Sequence, residues 1–172
     1  MKVPLIKRLD RSLIDSVAEK ARNNQRLRQN YNFHELPEKV QRFMNVLQPG
    51  TYVRPHRHLR DPAVNGFEMF VVLRGTLGIL IVNEAGEILL RERVDAMGPT
   101  QGVELTEGTY HTLVALAPDT AVLELKEGPY NPATDKHFLE QFPQEGTPEA
   151  QACVAAWEQE FAETRELSAD SP

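Results

Sequence analysis

Apolar residues at helical spacing occur in two segments, one near each end of the chain. Residues 11–23 place apolar side chains on one face, with Asp10 as an N-cap before them and Asn23 as the stop signal. A second pattern of this type starts with Thr147 as N-cap and Pro148 at the first helical position. We therefore predict a helix near each end of the chain, the second packed on the barrel or on a second subunit. The apolar stripe of the second helix consists of Ala150, Val154, Trp157 and Phe161.

Between the helices the pattern changes to short apolar runs bounded by Gly and Pro, which is typical of β-strands. Arg74-Gly75, residues 83–86 and Pro118-Asp119 mark chain reversals between the runs. No run alternates with a long helix, which disfavours a parallel α/β sheet and favours an antiparallel sandwich or barrel. The predicted strands are 40–47, 52–58, 67–73, 77–82, 87–94, 102–105, 111–117 and 121–126.

We expect three parts along the chain: an N-terminal helix and arm at 1–38, a barrel core at 39–130, and a C-terminal extension at 131–172 whose tail after Leu167 is disordered. Pro37 prevents a helix from continuing through the polar segment that follows the first helix. This arm, residues 25–35, is either a lid or partner arm over the barrel opening or an ordinary linker. Its candidate contact residues are Arg28, Asn30, Tyr31 and His34.

Composition limits the class of protein. The 172 residues amount to about one domain, and 41% hydrophobic with 26% charged residues is ordinary for a globular protein. No apolar run approaches the roughly 18 residues of a membrane-spanning helix. The first residues lack a secretory signal, and the single cysteine, Cys153, excludes an internal disulfide. We expect a cytoplasmic protein that does not bind a membrane.

Charge argues against nucleic acid as a partner. The formal net charge is −6, whereas phosphate binding needs a positive surface. Basic residues concentrate at the N-terminal end and acidic residues at the C-terminal end. These ends are either two solvated helices or surfaces that attract each other, within one subunit or across a dimer.

The strongest candidate for chemistry is His56-Arg57-His58, because residues i and i+2 of a strand project from the same face. Two imidazoles are thus predicted to enter one space. Pro55 beside them favours extended backbone and suits a barrel rim. Further along the chain, Glu68 opens the next apolar run and Gly108-Thr109-Tyr110-His111 precedes another.

This arrangement resembles the cupin motifs, in which a glycine precedes His-x-His and a later Glu, and a second motif centres on Gly-x-x-His. The matching residues are Gly50, His56, His58, Glu68 and Gly75 for the first motif, and Gly108 and His111 for the second. The gap between His58 and Glu68 is longer than is usual in cupins, which predicts a longer loop at 59–67.

The resemblance implies a mainly β fold, a cupin-type antiparallel β-barrel (double-stranded β-helix or jelly roll) with N-terminal and C-terminal helical additions. It also implies that one divalent metal is bound by four residues. Three imidazoles and a carboxylate suit Fe, Mn, Ni, Cu or Zn better than Ca or Mg, and leave positions open for water or substrate. The implied ligands are His56, His58, Glu68 and His111.

Most of the chain also resembles the WbuC-type cupin-fold metalloproteins, which are associated with bacterial surface-polysaccharide gene clusters. The stretches that carry this resemblance are 40–42, 52–58, 68–75, 108–112 and 124–130. What the family implies is a fold, a metal and a homodimer, without an established reaction.

Cations and hydroxyl groups near the motifs indicate an anionic or sugar-like ligand, because arginine binds carboxylate or phosphate in two-point fashion and phenols satisfy sugar hydroxyls. By alternation Arg54 shares a face with His56 and His58, whereas Arg57 faces away. Glu124 and Lys126 share a face and are expected to pair. The candidate substrate-binding residues are Arg42, Tyr52 and Arg54, with Lys136 as a further cation near the mouth, and the candidate catalytic residues are Tyr130 and Lys126.

Several functions fit this pattern. The first is a metal-dependent isomerase or epimerase that acts on a small sugar-like or carboxylate metabolite in surface-polysaccharide synthesis. An iron-dependent oxygenase needs the same open metal positions. A non-catalytic metal-dependent sensor or binding protein, and a barrel that does not use the metal, are the other hypotheses. The fold alone does not separate these functions.

Overall fold

The computed structural model describes residues 5–60 and 66–169, except for the side chains of 163–169. Two helices and ten strands occur in this part of the chain. The helices are α1 (Arg11–Arg22) and α2 (Pro148–Ala169). The strands are β1 (Arg28–Asn32), β2 (Val40–Leu47), β3 (His56–Arg57), β4 (Glu68–Arg74), β5 (Thr76–Val82), β6 (Ile88–Asp95), β7 (Gly102–Leu105), β8 (His111–Ala115), β9 (Thr120–Glu127) and β10 (His137–Phe138).

The strands form two five-stranded sheets in which every pair is antiparallel. The first sheet has the order β1-β2-β9-β4-β7 and the second β10-β3-β8-β5-β6. One edge strand of each sheet, β1 in the first and β10 in the second, thus lies outside the barrel core predicted at 39–130. Apolar side chains from both sheets form a buried core cluster, of which Leu47, Val53, Phe70 and Leu113 also border the cavity described below.

The helices cover the outer faces of the two sheets, as their apolar stripes predict. Asp10 caps α1, since its Oδ1 accepts a hydrogen bond of 2.9 Å from the Leu13 amide. Thr147 caps α2 in the same way, accepting from Ala150 N at 3.2 Å. The buried face of α1 packs on β2 and β9, and that of α2 packs on β5 and β8. In the described part of the chain, neither helix is long and apolar enough to cross a membrane.

The predicted strand 52–58 is reduced to His56–Arg57 in the structure. The carbonyl oxygens of the residues before His56 accept hydrogen bonds that are not part of a strand ladder. Arg28 Nη1 donates to Tyr52 O, Thr112 Oγ1 donates to Val53 O, and Leu139 N donates to Pro55 O. Pro55 itself has no N–H to give to a ladder. The segment is therefore a buried loop held by side chains and by the C-terminal extension.

The polar arm forms β1, an edge strand that pairs with β2 from Arg28 opposite Leu47 to Asn32 opposite Phe43. Polar residues suffice here because the strand contributes to the rim of the barrel and not to the core. At the other end of the chain, α2 continues to Ala169, and the rest of the predicted disordered tail lies outside the described residues, as does most of the predicted loop at 59–67.

Candidate metal centre

Three buried histidines come together inside the barrel. His56 on β3 lies directly opposite His111 on β8, and His58 follows two residues later on the same face. One ring nitrogen from each lies within 4.8 Å of the other two, and all three residues are buried. The structure therefore brings together the His-x-His pair and the histidine of the second motif.

Hydrogen bonds set the tautomer of all three rings. Each Nδ1 lies against a backbone carbonyl and donates its proton there, which leaves the lone pair on Nε2. The acceptors for His56, His58 and His111 are the carbonyl oxygens of Arg54, Asp135 and Thr109, at 2.9, 2.5 and 3.0 Å. Rings held in this way are oriented as metal ligands before any ion binds.

Glu68 brings a carboxylate to these lone pairs from the opposite sheet. Its Oε1 lies 3.3 Å from His58 Nε2, and its Oε2 lies 3.1 Å from His111 Nε2. Glu68 Oε2 and His58 Nε2 are both buried and have no hydrogen-bond partner among the described residues. Facing lone pairs are unfavourable unless a cation lies between them, so these residues fit a divalent metal ion bound by three imidazoles and one carboxylate.

The ionisation state of His56 agrees with this ligand set. Burial, followed by the charge of Lys136, holds the pKa of His56 well below its ordinary value. A histidine that binds a metal must be neutral, and a lowered pKa favours the neutral imidazole.

A buried charged group lies beside the four candidate ligands. Lys126 Nζ is 3.3 Å from Asp135 Oδ2, 3.6 Å from Glu124 Oε1 and 4.0 Å from Glu68 Oε1, which confirms the predicted Glu124–Lys126 pairing. Burial lowers the pKa of Lys126, but the three carboxylates raise it by more. Burial and then the charge of Glu68 raise the pKa of Glu124 well above its ordinary value. Lys126 therefore stays an ammonium ion.

A cavity of about 450 Å³ opens from this centre between the two sheets. His56, Glu68 and His111 line it together with Lys126. The rest of its wall is mainly polar and includes the arm, so β1 supplies part of the cavity rim. The polar residues of the wall include Arg28, Gln29, Asn30, Asn32, His34, Gln41, Asn45, Glu124, Asp135 and Lys136.

Both predicted catalytic residues lie at this cavity. Lys126 is buried beside Glu68, and Tyr130 lines the cavity with 37% of its surface exposed. The two residues thus occupy different depths, the lysine next to the candidate ligands and the phenol nearer the solvent.

The predicted substrate-binding residues have other contacts and are not among the described residues that line the cavity. Arg42 lies on the face of β2 opposite to Gln41, and its guanidinium pairs with Glu38. The Tyr52 ring stacks on Trp157 of α2 with 5.6 Å between centroids.

Arg54 lies before the strand, which begins only at His56, so the alternation of the strand does not extend back to its side chain. The Arg54 guanidinium donates instead to the carbonyl of Phe142 at 3.1 Å and pairs with Glu140 at 3.2 Å. Its backbone carbonyl, not its side chain, contributes to the candidate site by accepting a hydrogen bond from His56 Nδ1.

Two features of the site were not predicted. Asp135, whose carbonyl orients His58, lies 77 residues away in a segment with no periodic pattern, so no local signal marks it. Gln41, Phe43 and Asn45 point into the cavity from alternate positions of β2. The period of two within the predicted strand 40–47 would have grouped these three residues, but it does not say which face of the strand is inside.

Comparisons with known proteins bear on the family and the fold of this chain. A family model described as a domain of unknown function, DUF6016, matches residues 9–94. No curated protein matches the chain. Among solved structures, the capsular polysaccharide assembling protein CapF from Staphylococcus aureus is 22% identical with a TM-score of 0.52; the match covers 68% of this chain and 33% of CapF.

Two smaller proteins also match. KdgF from a Halomonas species is 22% identical with a TM-score of 0.46, covering 62% of this chain and 82% of KdgF. A cupin superfamily protein from Desulfitobacterium hafniense is 11% identical with a TM-score of 0.45, covering 58% and 76% of the two chains. Identities this low bear on fold alone. The two antiparallel five-stranded sheets, together with the likeness to CapF, confirm the predicted mainly β, cupin-type barrel.

Proposed function

The chain belongs to the DUF6016 family of domains of unknown function, and we propose that it is a cupin-fold metalloenzyme that isomerises or epimerises a small sugar-like or carboxylate metabolite. One observation carries the proposal: three histidine Nε2 lone pairs and an unpartnered carboxylate oxygen meet at the inner end of a polar cavity. His56, His58, Glu68 and His111 would hold the metal, which we propose to be Fe, Mn, Ni or Zn.

The roles of the neighbouring residues follow from their positions. The bound metal would supply Lewis-acid polarisation of a substrate oxygen. Lys126, kept charged by the surrounding carboxylates, would stabilise negative charge that develops on the substrate. Tyr130, at the cavity wall nearer the solvent, would give or take the proton that moves between substrate carbons.

The biological setting is part of the proposal. The resemblance to WbuC-type proteins supports a step in bacterial surface-polysaccharide synthesis, a homodimer and a cytoplasmic location. The likeness to CapF is one of fold and supports the barrel, not the reaction. The polar wall of the cavity supports a ligand rich in oxygen.

Elemental analysis of the untagged protein tests the metal. We expect near-stoichiometric Fe, Mn, Ni or Zn in the wild type and its loss in the His56→Ala/His58→Ala double variant. His137→Ala is the matched control, because this exposed histidine lies on β10 outside the cluster. Metal-free wild type, even after reconstitution, would sink the metalloenzyme proposal.

Turnover is tested by proton exchange in D2O. An isomerase or epimerase that moves a proton between carbons exchanges substrate C–H for deuterium, which ¹H NMR detects across a panel of sugars and hydroxy acids. We expect Lys126→Met and Tyr130→Phe to lose exchange while they keep the metal. Metal and ligand binding without exchange in the wild type would favour the sensor hypothesis instead, and unchanged exchange in both variants would remove them from the catalytic residues.

A further inference from the structure

The side chain of Gln41 is an anomaly in the cavity wall. The residue is 2% exposed, and its Nε2 is buried without a hydrogen-bond partner in the described part of the chain. A buried N–H group without an acceptor destabilises the folded state, so natural proteins rarely keep one. Such a group is expected where a ligand supplies the missing acceptor.

The other amides of this wall are already partnered. Asn45 donates to Glu124 Oε2 at 3.0 Å, and Asn30 donates to Asn32 Oδ1 at 2.9 Å. Gln41 faces the same cavity from β2, directly opposite Lys126 in the register of β9. Its amide therefore combines a free donor with a position next to the lysine that contacts the candidate metal ligands.

Packing holds this donor in place. Gly128 follows β9, and a Cβ at that position would lie 3.3 Å from Gln41 Cγ and 3.4 Å from its Nε2. A side chain at this position would therefore crowd the amide, and glycine leaves the space to Gln41. Because Gln41 is only 2% exposed, its side chain has little entropy left to lose when a ligand binds.

We propose that Gln41 is a specificity-determining residue that donates its Nε2 hydrogen bond to a hydroxyl oxygen of a polyhydroxylated ligand. An uncharged amide suits a hydroxyl group, whereas a carboxylate is better recognised by cations such as those already in the cavity. The inference rests on the proposed function, because it places this hydroxyl in the cavity of the metal centre.

Two probes of the same ring size and charge test the inference by calorimetry on the zinc-loaded full chain: D-glucuronate, which carries hydroxyls, and cyclohexanecarboxylate, which does not. We expect the wild type to bind D-glucuronate more tightly. Gln41→Met should weaken D-glucuronate about fivefold to tenfold, the usual effect of one hydrogen bond. Cyclohexanecarboxylate affinity should change less than about twofold, since methionine keeps the shape of the side chain.

Stability separates binding from a structural role. Because Gln41→Met removes an unpartnered donor, we expect its Tm to equal or exceed that of the wild type, whereas the loss of a structural hydrogen bond would lower it. Gln101→Met is the matched control: this exposed glutamine donates to Ala96 O in a turn, and its substitution should leave both affinities unchanged.

Three results would overturn the inference. The first is a wild type that binds D-glucuronate no better than cyclohexanecarboxylate, or does not bind it at all. The second is a Gln41→Met variant that binds both probes as the wild type does, and the third is a Gln41→Met variant with a Tm below that of the wild type. Metal content, measured on the same samples, reports on the proposed function separately. A protein that holds zinc and fails the probe comparison loses only the role of Gln41.

Discussion

Asp135 links the C-terminal extension to the candidate metal centre, and Asp135→Asn tests this link. Its backbone carbonyl accepts from His58 Nδ1 at 2.5 Å, and its carboxylate accepts from Arg60 at 2.8 Å and from Lys126 at 3.3 Å. Asparagine keeps the size and one oxygen but removes the negative charge. The substitution therefore isolates the ionic part of the link.

The magnitude follows from burial. The side chains of Arg60 and Lys126 are 8% and 5% exposed, so neither cation can recover water when its partner is neutralised. Removing one partner of a buried ion pair costs about 3–5 kcal/mol. Because asparagine keeps a hydrogen-bond acceptor, we expect the free energy of unfolding to fall by about 3 kcal/mol. Displacement of the carbonyl that orients His58 should weaken metal binding by about 10-fold to 100-fold.

Urea unfolding at pH 7 in the presence of a chelator measures the stability of the metal-free protein, and zinc competition with a chromophoric chelator measures affinity. Glu140→Gln is the control, because its carboxylate pairs with Arg54 at 3.2 Å but is 86% exposed. Its substitution should cost less than about 1 kcal/mol. Coincident unfolding curves for Asp135→Asn and the wild type would refute the reasoning.

The pH dependence has a definite sign. Burial raises the pKa of Asp135, but the charge of Lys126 and the hydrogen bond and charge of Arg60 lower it by more, so that the pKa is below its ordinary value. A depressed pKa contributes stability that is fully present above the unfolded value of about 3.9 and is lost as the pH falls through the folded value. The stability gap between wild type and Asp135→Asn should thus narrow only below about pH 3.9.

Three further substitutions test the fold by urea or thermal unfolding. Trp157→Ala removes a ring that is 6% exposed between α2 and the second sheet, and should cost about 3–5 kcal/mol; a loss below 1 kcal/mol would contradict this packing. Asp10→Ala removes the cap on Leu13 N and should cost about 1 kcal/mol, restored in part by Asp10→Ser. Gly75→Ala places a Cβ 2.6 Å from Thr120 Oγ1 at φ +74°, so its Tm should fall, and an unchanged Tm would show that the turn adapts.

The elements that are predicted well from sequence depend on local periodicity. The period of two over 40–47 predicts β2 with both of its ends correct, and the period of 3.6 with its capping residues predicts where α1 and α2 begin. The same period of two places the imidazoles of His56 and His58 on one face. These features require only backbone geometry, which each segment carries by itself.

Features that depend on which segments pair with a strand are not predicted by local periodicity. Alternation predicts that Arg54 shares the face of His56, but the strand has only two residues and begins after Pro55, and the Arg54 side chain contacts Glu140. The polar arm forms an edge strand because β2 offers it a ladder, although its own composition does not favour a strand. In both cases the partner segment, and not the local sequence, decides the structure.

The sequence by itself predicted a mainly β barrel with capped helices, and its resemblance to the cupin motifs implied that His56, His58, Glu68 and His111 lie at one site. The tertiary structure decided which other groups serve that site. Asp135 reaches His58 across 77 residues, and Gln41 comes to lie opposite Lys126 through strand pairing. The physical reason is that a side chain's face and rotamer follow from local geometry, whereas hydrogen bonds and ion pairs between distant segments exist only once the two sheets have closed around the cavity.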